Sequence, residues 1–221
     1  MPLINILLDK NFWLVFLLTN LLYSQNTINL DVDNDLYFEK DFYYSSGIFL
    51  TYSKFDKSKK GRDQINHFIL GQEIYTPSKR YETDPRNYDY PYNGLLFVKY
   101  KNQTSLNNNS SLSLSGMLGV TGSASLAKGM QNIYHRLILN LPDLSWNAQM
   151  PQEVQLNILI DYFKGLQLEE NINLETKLFS EVGTYKIKTG LDIGIMIGAL
   201  DSFHFFDNII TRYQQDYKDI S

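Results

Sequence analysis

Most of the chain alternates between apolar and polar residues, which is the pattern of a β-strand with two unlike faces. Ile, Leu and Val alternate with Asn and Asp in residues 27–33, and Leu and Val alternate with Ser in residues 110–120. An antiparallel all-β fold follows, either a membrane β-barrel with a polar interior or a soluble sandwich with an apolar core. The pattern predicts eight strands of roughly ten residues: 27–33, 47–55, 64–75, 95–105, 110–120, 154–166, 172–185 and 188–200.

Two segments break this alternation. Residues 75–93 contain three prolines among charged residues and tyrosines, which predicts a long structured loop. Residues 123–139 place Leu126, Met130 and Ile133 at helical spacing, and Pro142 follows, so a helix is predicted there. Gln131 and His135 are four residues apart and therefore project from one face of that helix.

The N-terminus has the features of an export signal. Lys10 precedes an apolar run over residues 12–23, which ends at the small residue Ser24. The run is shorter than the roughly 20 residues that span a bilayer, although a single membrane anchor is the alternative interpretation. We therefore predict a signal peptide over residues 1–24 and one β-barrel domain over residues 25–221.

The amino-acid composition limits which partners and which chemistry can be expected. The 20 basic and 24 acidic residues give a net charge of −4, so the chain has no basic field to hold nucleic acid, and none is expected as a partner. The absence of cysteine excludes disulfides and thiolate chemistry. The 16 Tyr and 13 Phe suggest the aromatic girdles of a membrane barrel. The predicted girdle residues are Tyr43, Tyr44, Tyr52, Phe55, Tyr75, Tyr100, Tyr162 and Phe163.

Two places carry candidate chemistry. Residues 31–35 (D-V-D-N-D) offer four oxygen-bearing side chains at a strand end, and the next hairpin would bring Asp41, Ser45 and Ser46 close to them. Such oxygens suit a hard cation like Ca²⁺, but a solvated acidic strand end is the simpler alternative. His135 is the candidate general base, and a packed histidine is its alternative. The usual serine-hydrolase and zinc-hydrolase motifs do not occur.

Five short blocks resemble a known family when they are taken in order. They are N-D-(x)5-D-x-x-Y-S-S-G from Asn34, L-G-Q-x-I-Y-T-P from Leu70, D-Y-P-Y-N-G from Asp89, Q-N-x-x-H-R from Gln131 and W-x-x-Q-x-x-x-E from Trp146. Over residues 30–166 the chain resembles the LpxR family of outer-membrane lipid A 3′-O-deacylases. The resemblance implies a twelve-stranded barrel in the bacterial outer membrane. It also implies a site between the outer face of the barrel wall and a loop helix.

The resemblance further implies Ca²⁺-dependent hydrolysis of an acyl ester of lipid A. Asn34 and Asp35 match the family's Asn-Asp pair and are the expected metal ligands. Ser45 stands where the family has threonine. His135 matches the catalytic histidine, with Gln131 four residues before it. His135 is expected to activate the attacking water, while Ca²⁺ would stabilise the oxyanion.

Two departures from the family pattern qualify these expectations. Asp89 replaces an arginine, so Lys79 or Arg80, with Arg86 as a further candidate, is predicted to contact lipid A together with Tyr92. After the eighth predicted strand only about 20 residues remain, which is too few for four more strands. We therefore expect that the C-terminal strands are missing, that the strands pair with another copy, or that the barrel is smaller than the family's. The alternative function is a non-catalytic or truncated barrel that retains the site residues.

Overall fold

One antiparallel sheet organises the computed structural model, which describes residues 26–34, 43–56, 63–107 and 109–197. Eight strands pair in sequential order, each with its neighbours along the chain. The predicted signal peptide and Asp35 and Asp41 lie outside the described residues. The strands are β1 Asn26–Asn34, β2 Tyr43–Asp56, β3 Gln64–Thr76, β4 Asn93–Asn107, β5 Ser110–Thr121, β6 Val154–Glu169, β7 Ile172–Gly183 and β8 Lys188–Ile197.

The two faces of this sheet have opposite chemistry, as the alternation predicts. On β5, Ser113 and Ser115 are buried, whereas Leu114 and Leu118 are more than half exposed. The apolar face therefore points outward and the small polar residues point inward. This is a single sheet and not two stacked sheets, so the soluble-sandwich alternative is wrong.

The sheet curls into a half-barrel. Lys186, in the turn between β7 and β8, places its Nζ atom 3.5 Å from the Oε2 atom of Glu73 on β3. Contact between strands so far apart in the sheet requires strong curvature. Because neighbouring strands run in opposite directions, the β1–β2, β3–β4, β5–β6 and β7–β8 connections lie at one end of the half-barrel, which we call the site end.

The largest departure of a strand boundary from its prediction lies at the site end. β2 begins at Tyr43, four residues before the predicted start, because a bulge between Tyr44 and Ser46 lets its pairing with β3 continue. Four of the eight predicted girdle residues are wrong, because Tyr44, Phe55, Tyr75 and Phe163 point into the half-barrel. Phe55 and Phe163 are buried because strand alternation turns them inward beside Ser53 and Asp161. Tyr100, by contrast, is exposed on the outer face.

The β5–β6 connection contains the predicted helix, but in three pieces. A 3-10 helix over Gly122–Ser125 is followed by the α-helix α1, Ala127–Tyr134, and a π-helical turn, His135–Leu139. Leu126 separates the first two because its left-handed backbone, with φ of 60°, cannot continue a right-handed helix. None of the helices in the described segments is long and apolar enough to cross a membrane.

Candidate functional site

Helix α1 lies on the outer face of the wall, over the site ends of β3 and β4. The side chain of Gln72, which points outward from β3, donates a hydrogen bond to the carbonyl of Ser125 at 2.6 Å. Gly94 on β4 permits close contact, since a Cβ atom there would lie 2.2 Å from the Cβ of Ala127. The helix therefore covers the wall at the position that the family resemblance implied.

An apolar cluster fills the space between this wall and the loops. Tyr92 and Trp146 stack with their ring centroids 4.8 Å apart, and Ile74, Ala127 and Leu144 pack around them. All five are buried. A buried apolar cluster thus lies outside the half-barrel, where it packs the helix and its loop against the wall.

A chain of buried hydrogen bonds crosses from the loop to the wall beside this cluster. The indole of Trp146 donates to Oε1 of Gln131 at 2.9 Å, and Nε2 of Gln131 donates to Oγ1 of Thr76 at 3.0 Å. The hydroxyl of Ser45 donates to the same Oγ1 atom at 2.5 Å. Ser45 and Gln131, two residues that the sequence analysis selected, are therefore linked through a single threonine.

The bulge in β2 places Ser45 at this site. Ser45 is the extra residue between Tyr44 and Ser46, and its neighbour Ser46 pairs with Asn34 at the end of β1. The structure thereby brings the backbone of Asn34 beside the serine pair, as the predicted hairpin requires. Asp35, the next predicted site residue, lies outside the described residues.

The acidic run before Asn34 does not form a single cluster. Asp31 accepts hydrogen bonds from Asn29 at 2.8 and 2.9 Å, and Asp33 accepts one from the Tyr44 hydroxyl at 3.0 Å. Both carboxylates already have neutral partners, and they alternate with the outward apolar residues of β1. The expectation that residues 31–35 act together is corrected to exclude Asp31 and Asp33.

His135 is buried at the start of the π-helical turn, one helical turn after Gln131. Its Nδ1 atom lies 3.4 Å from the carbonyl oxygen of Pro142, an acceptor, so the ring proton is on Nδ1 and Nε2 keeps its lone pair. Burial lowers the pKa of His135, and the positive charge of Arg80 acts in the same direction. The Pro142 hydrogen bond and Asp143 oppose this shift. The neutral imidazole therefore predominates at neutral pH.

The helical segment and loop around His135 contain three residues with a strained backbone. Leu126, Asn140 and Trp146 all have left-handed backbones, with φ between 52° and 60°. Each such residue costs about 1–2 kcal/mol, so surrounding contacts must stabilise it. Asn132 supplies two of these contacts, because its side chain donates to the carbonyl and accepts from the amide of Leu144.

The predicted substrate-binding residues occupy unlike environments. Tyr92 is fully buried, and its hydroxyl donates to the carbonyl of Arg80 at 2.5 Å. Any contribution of Tyr92 to substrate binding would therefore pass through Arg80. Lys79 has an exposed side chain. Arg86 forms a salt bridge with Asp84, whose pKa is lowered by the hydrogen bonds from this arginine.

Asp89, which replaces the family's arginine, has a structural role. Its carboxylate accepts hydrogen bonds from the hydroxyl of Tyr43 at 3.2 Å and from the amide of Ser78 at 3.0 Å. These bonds lower the pKa of Asp89, with Ser78 as the largest cause. Asp89 thus ties the β3–β4 loop to the start of β2.

Comparisons with known proteins now identify the family. A family model described as outer membrane protein LpxR matches residues 12–208. The chain belongs to the LpxR family. Among solved structures, LpxR from Salmonella typhimurium matches with a TM-score of 0.52 and 18% sequence identity. The match covers 69% of this chain and 51% of that one, so the chain spans about half the length of the solved protein. None of the curated proteins matches.

Membership in the LpxR family makes the half-barrel part of an outer-membrane β-barrel fold and locates the chain in the outer membrane. The outward apolar face is then the face that meets lipid. A groove of about 920 Å³ crosses this face. Its upper edge is the pair Leu70–Val98, the next outward pair after Gln72 in the direction away from the site end. It opens at Gly116, which has no side chain, and its outward lining includes Leu70, Val98, Tyr100, Leu118, Leu156 and Ile158.

The LpxR resemblance implies a calcium ion, and the described residues meet only part of that requirement. Ser45 and Thr76 offer neutral hydroxyl oxygens, which suit a hard cation. Within the described segments, no three His, Asp or Glu side chains converge. The side chain of Asn34 and all of Asp35 lie outside the description. The calcium site on Asn34 and Asp35 stays a prediction.

Sequence reasoning did not single out Thr76 as a site residue, and it used Trp146 only for the resemblance. Thr76 is fully buried and joins Ser45 to Gln131, while Trp146 orients the amide of Gln131. The signal available for Thr76 was its place at the end of an outward strand face, directly before Pro77. Its partners lie 31 and 55 residues away, a pairing that only the fold reveals.

Proposed function

We propose that this protein hydrolyses the 3′-linked acyl or acyloxyacyl ester of lipid A in the outer membrane. The observation that carries the proposal is the state of His135. It is a buried imidazole with its proton on Nδ1 and a lowered pKa, held on the lipid-facing side of a barrel wall. A base in this position reaches a substrate that stays within the membrane.

The reaction needs a base for water and an acid for the leaving group, and one imidazole can supply both. Nε2 of His135 takes a proton from water as the water oxygen bonds to the ester carbonyl carbon. The bond between that carbon and the 3′ oxygen then breaks, and the imidazolium returns the proton to the sugar oxygen. The products are the free 3′ hydroxyl and a fatty or acyloxyacyl acid.

The negative charge on the carbonyl oxygen needs stabilisation. A Ca²⁺ ion bound by Asn34 and Asp35 would supply it as a Lewis acid. In this proposal the Ser45 hydroxyl and the amide of Gln131 shape the polar side of the site. Their mutual contact with Thr76 fixes both groups before the substrate arrives, so no reorganisation is needed during the reaction.

The surroundings support a lipid substrate with an anionic head group. The groove at Gly116 provides apolar surface for an acyl chain directly below the covered site. Lys79 and Arg80 lie in the adjoining β3–β4 loop, and in the proposal they contact the phosphate groups of lipid A. Arg86 is engaged by Asp84, which makes it the weaker candidate.

The test incubates the purified full chain in detergent with lipid A and measures the mass of the lipid. We expect loss of the 3′ acyl group, inhibition by EDTA, recovery with Ca²⁺, and a decrease of about 10²- to 10⁴-fold in His135→Ala. His67→Gln is the matched control. His67 lies inside the half-barrel, hydrogen-bonded to Ser53, so this variant should keep wild-type activity.

Two results would refute parts of the proposal. Full activity of His135→Ala would eliminate the histidine mechanism, and activity that EDTA leaves unchanged would eliminate the role of Ca²⁺. An unchanged lipid A mass with the folded wild-type chain would favour the alternative, a barrel that retains the site residues without turnover.

A further inference from the structure

The helical segment that covers the site has its polarity reversed relative to a helix on a water-soluble protein. Its polar residues Gln131, Asn132 and His135 are buried, Gln131 against the wall and the other two against the loop that follows the helix. Its apolar residues face away from the protein and are 43–74% exposed: Leu126, Met130, Ile133, Leu137 and Ile138. A surface helix in water normally buries its apolar stripe. This outward stripe therefore needs another apolar partner.

The position of the helix indicates which partner that is. The contacts of Gln72 with Ser125 and of Gln131 with Thr76 place the helix on the outer face of an outer-membrane wall. Directly below, the outward residues Leu70, Val98 and Leu118 are about half exposed and face lipid. The exposed stripe continues this lipid-facing surface beyond the strands.

The charges on the segment fit the same partner. Residues 126–140 contain no acidic residue, and the basic residues Lys128 and Arg136 are both exposed and lie off the stripe. Arg136 approaches Asp143 only at 3.9 Å. A helix with an apolar stripe and basic residues beside it is typical of segments that lie in the interface of a membrane with anionic head groups.

We propose that the stripe Leu126, Met130, Ile133, Leu137 and Ile138 is immersed among the acyl chains of the outer leaflet. The membrane then holds the helix against the wall from outside, while the hydrogen bonds of Gln131 with Thr76 and of Ser125 with Gln72 hold it from inside. This inference concerns membrane contact and not turnover, so it stands whether or not the chain hydrolyses lipid A.

The absence of cysteine makes a direct test possible, because each introduced cysteine is the sole labelling site. Ile133→Cys and Leu137→Cys probe the stripe, each carrying an environment-sensitive fluorophore. Leu114→Cys, more than half exposed on the outer face of β5, is the lipid-facing control. Thr83→Cys, exposed in the β3–β4 loop, is the aqueous control. The full chain is reconstituted in phosphatidylcholine vesicles with or without doxyl-labelled acyl chains.

We expect the two stripe labels to be quenched by the doxyl lipid at least half as strongly as the Leu114 label, and several-fold more than the Thr83 label. Aqueous iodide should show the opposite order. Quenching of both stripe labels like that at Thr83 would overturn the proposal. So would shielding from both quenchers together with energy transfer between labelled copies, because a second copy would then cover the stripe. Met130→Cys replaces either stripe variant that does not fold.

Discussion

The outer face of β3 changes character halfway along one strand. Near the site end, Gln72, Ile74 and Thr76 point outward and are buried under the helix. Further along the same face, Phe68 and Leu70 are about half exposed and apolar. We call the first region, with Gly94 beside it, the covered wall. The second region, with Tyr100 and Gly116, is the bare wall.

The difference shows how a membrane wall can acquire a polar site. An outward hydroxyl such as Thr76 would be costly against lipid, because no water is present to bond it. Under the helix it is satisfied by Gln131 and Ser45. The β5–β6 loop thus supplies polar partners that the membrane cannot, and the bare wall below keeps its contact with lipid.

The prediction with the largest expected effect compares one glycine from each region. Gly94→Ala adds a Cβ atom 2.2 Å from the Cβ of Ala127, so the helix must move away from the covered wall. Overpacking of this kind costs about 1–3 kcal/mol, and a displacement of about 1 Å at a catalytic group can cost about 10²-fold in rate. We expect at least that loss of lipid A hydrolysis, measured by mass spectrometry.

Gly116→Ala is the matched control on the bare wall. A Cβ atom there has no neighbour within 4 Å, so folding and helix position should be unchanged. Both variants should still migrate as folded protein in unheated gels. Wild-type activity of Gly94→Ala would contradict the idea that close contact at Gly94 holds the site together.

Strand alternation explains why the fold could be predicted so fully. Residues that alternate between lipid and a polar interior leave a period of two, which located all eight described strands. Two of the errors arose where the covered wall departs from that rule. The bulge at Ser45 extends β2, and the left-handed Leu126 divides the predicted helix. Both features are set by tertiary contacts at the site, which a local pattern does not record.

A second test concerns the hydroxyl at the centre of the covered wall. Thr76→Val keeps the shape of the side chain but leaves Ser45 and Gln131 without their shared partner. An unsatisfied buried polar group costs about 1–3 kcal/mol, and we expect activity to fall by about tenfold or more. The measurement is kcat on lipid A in detergent.

Thr76→Ser separates hydrogen bonding from packing, because it restores the hydroxyl without the methyl group. We expect it to recover most of the activity lost in Thr76→Val. If the serine variant were as impaired as the valine variant, packing and not the hydrogen-bond chain would be the contribution of Thr76.

The site itself was only partly accessible from sequence. Gln131 and His135 share a helix face by spacing alone, and the structure buries both. The acidic run over residues 31–35 was a misleading signal. Strand alternation places Asp31 and Asp33 on the inner face of β1, away from the site on the outer face, and the sequence pattern already implied this. Thr76 was missed because its hydrogen-bond partner Gln131 lies on a helix in the β5–β6 connection, far from Thr76 in the sequence. Asp35 lies outside the described residues, so its role stays a prediction.

The prediction with the smallest expected effect concerns whether burial in the covered site lowers the pKa of His135. In the proposed mechanism His135 acts when neutral, so activity should rise with pH through its pKa and then level off. Because burial lowers that pKa, the rise should lie below the ordinary histidine value of about 6.5.

Arg80→Gln removes a charge that also lowers the pKa, so the rise in kcat should move to higher pH. Lys79→Gln, an exposed neighbour in the same loop, should leave it in place. A shift of the Arg80→Gln profile to lower pH would show that another group controls the acid limb. A wild-type rise above the ordinary value would show that the burial of His135 under the helix does not govern its protonation.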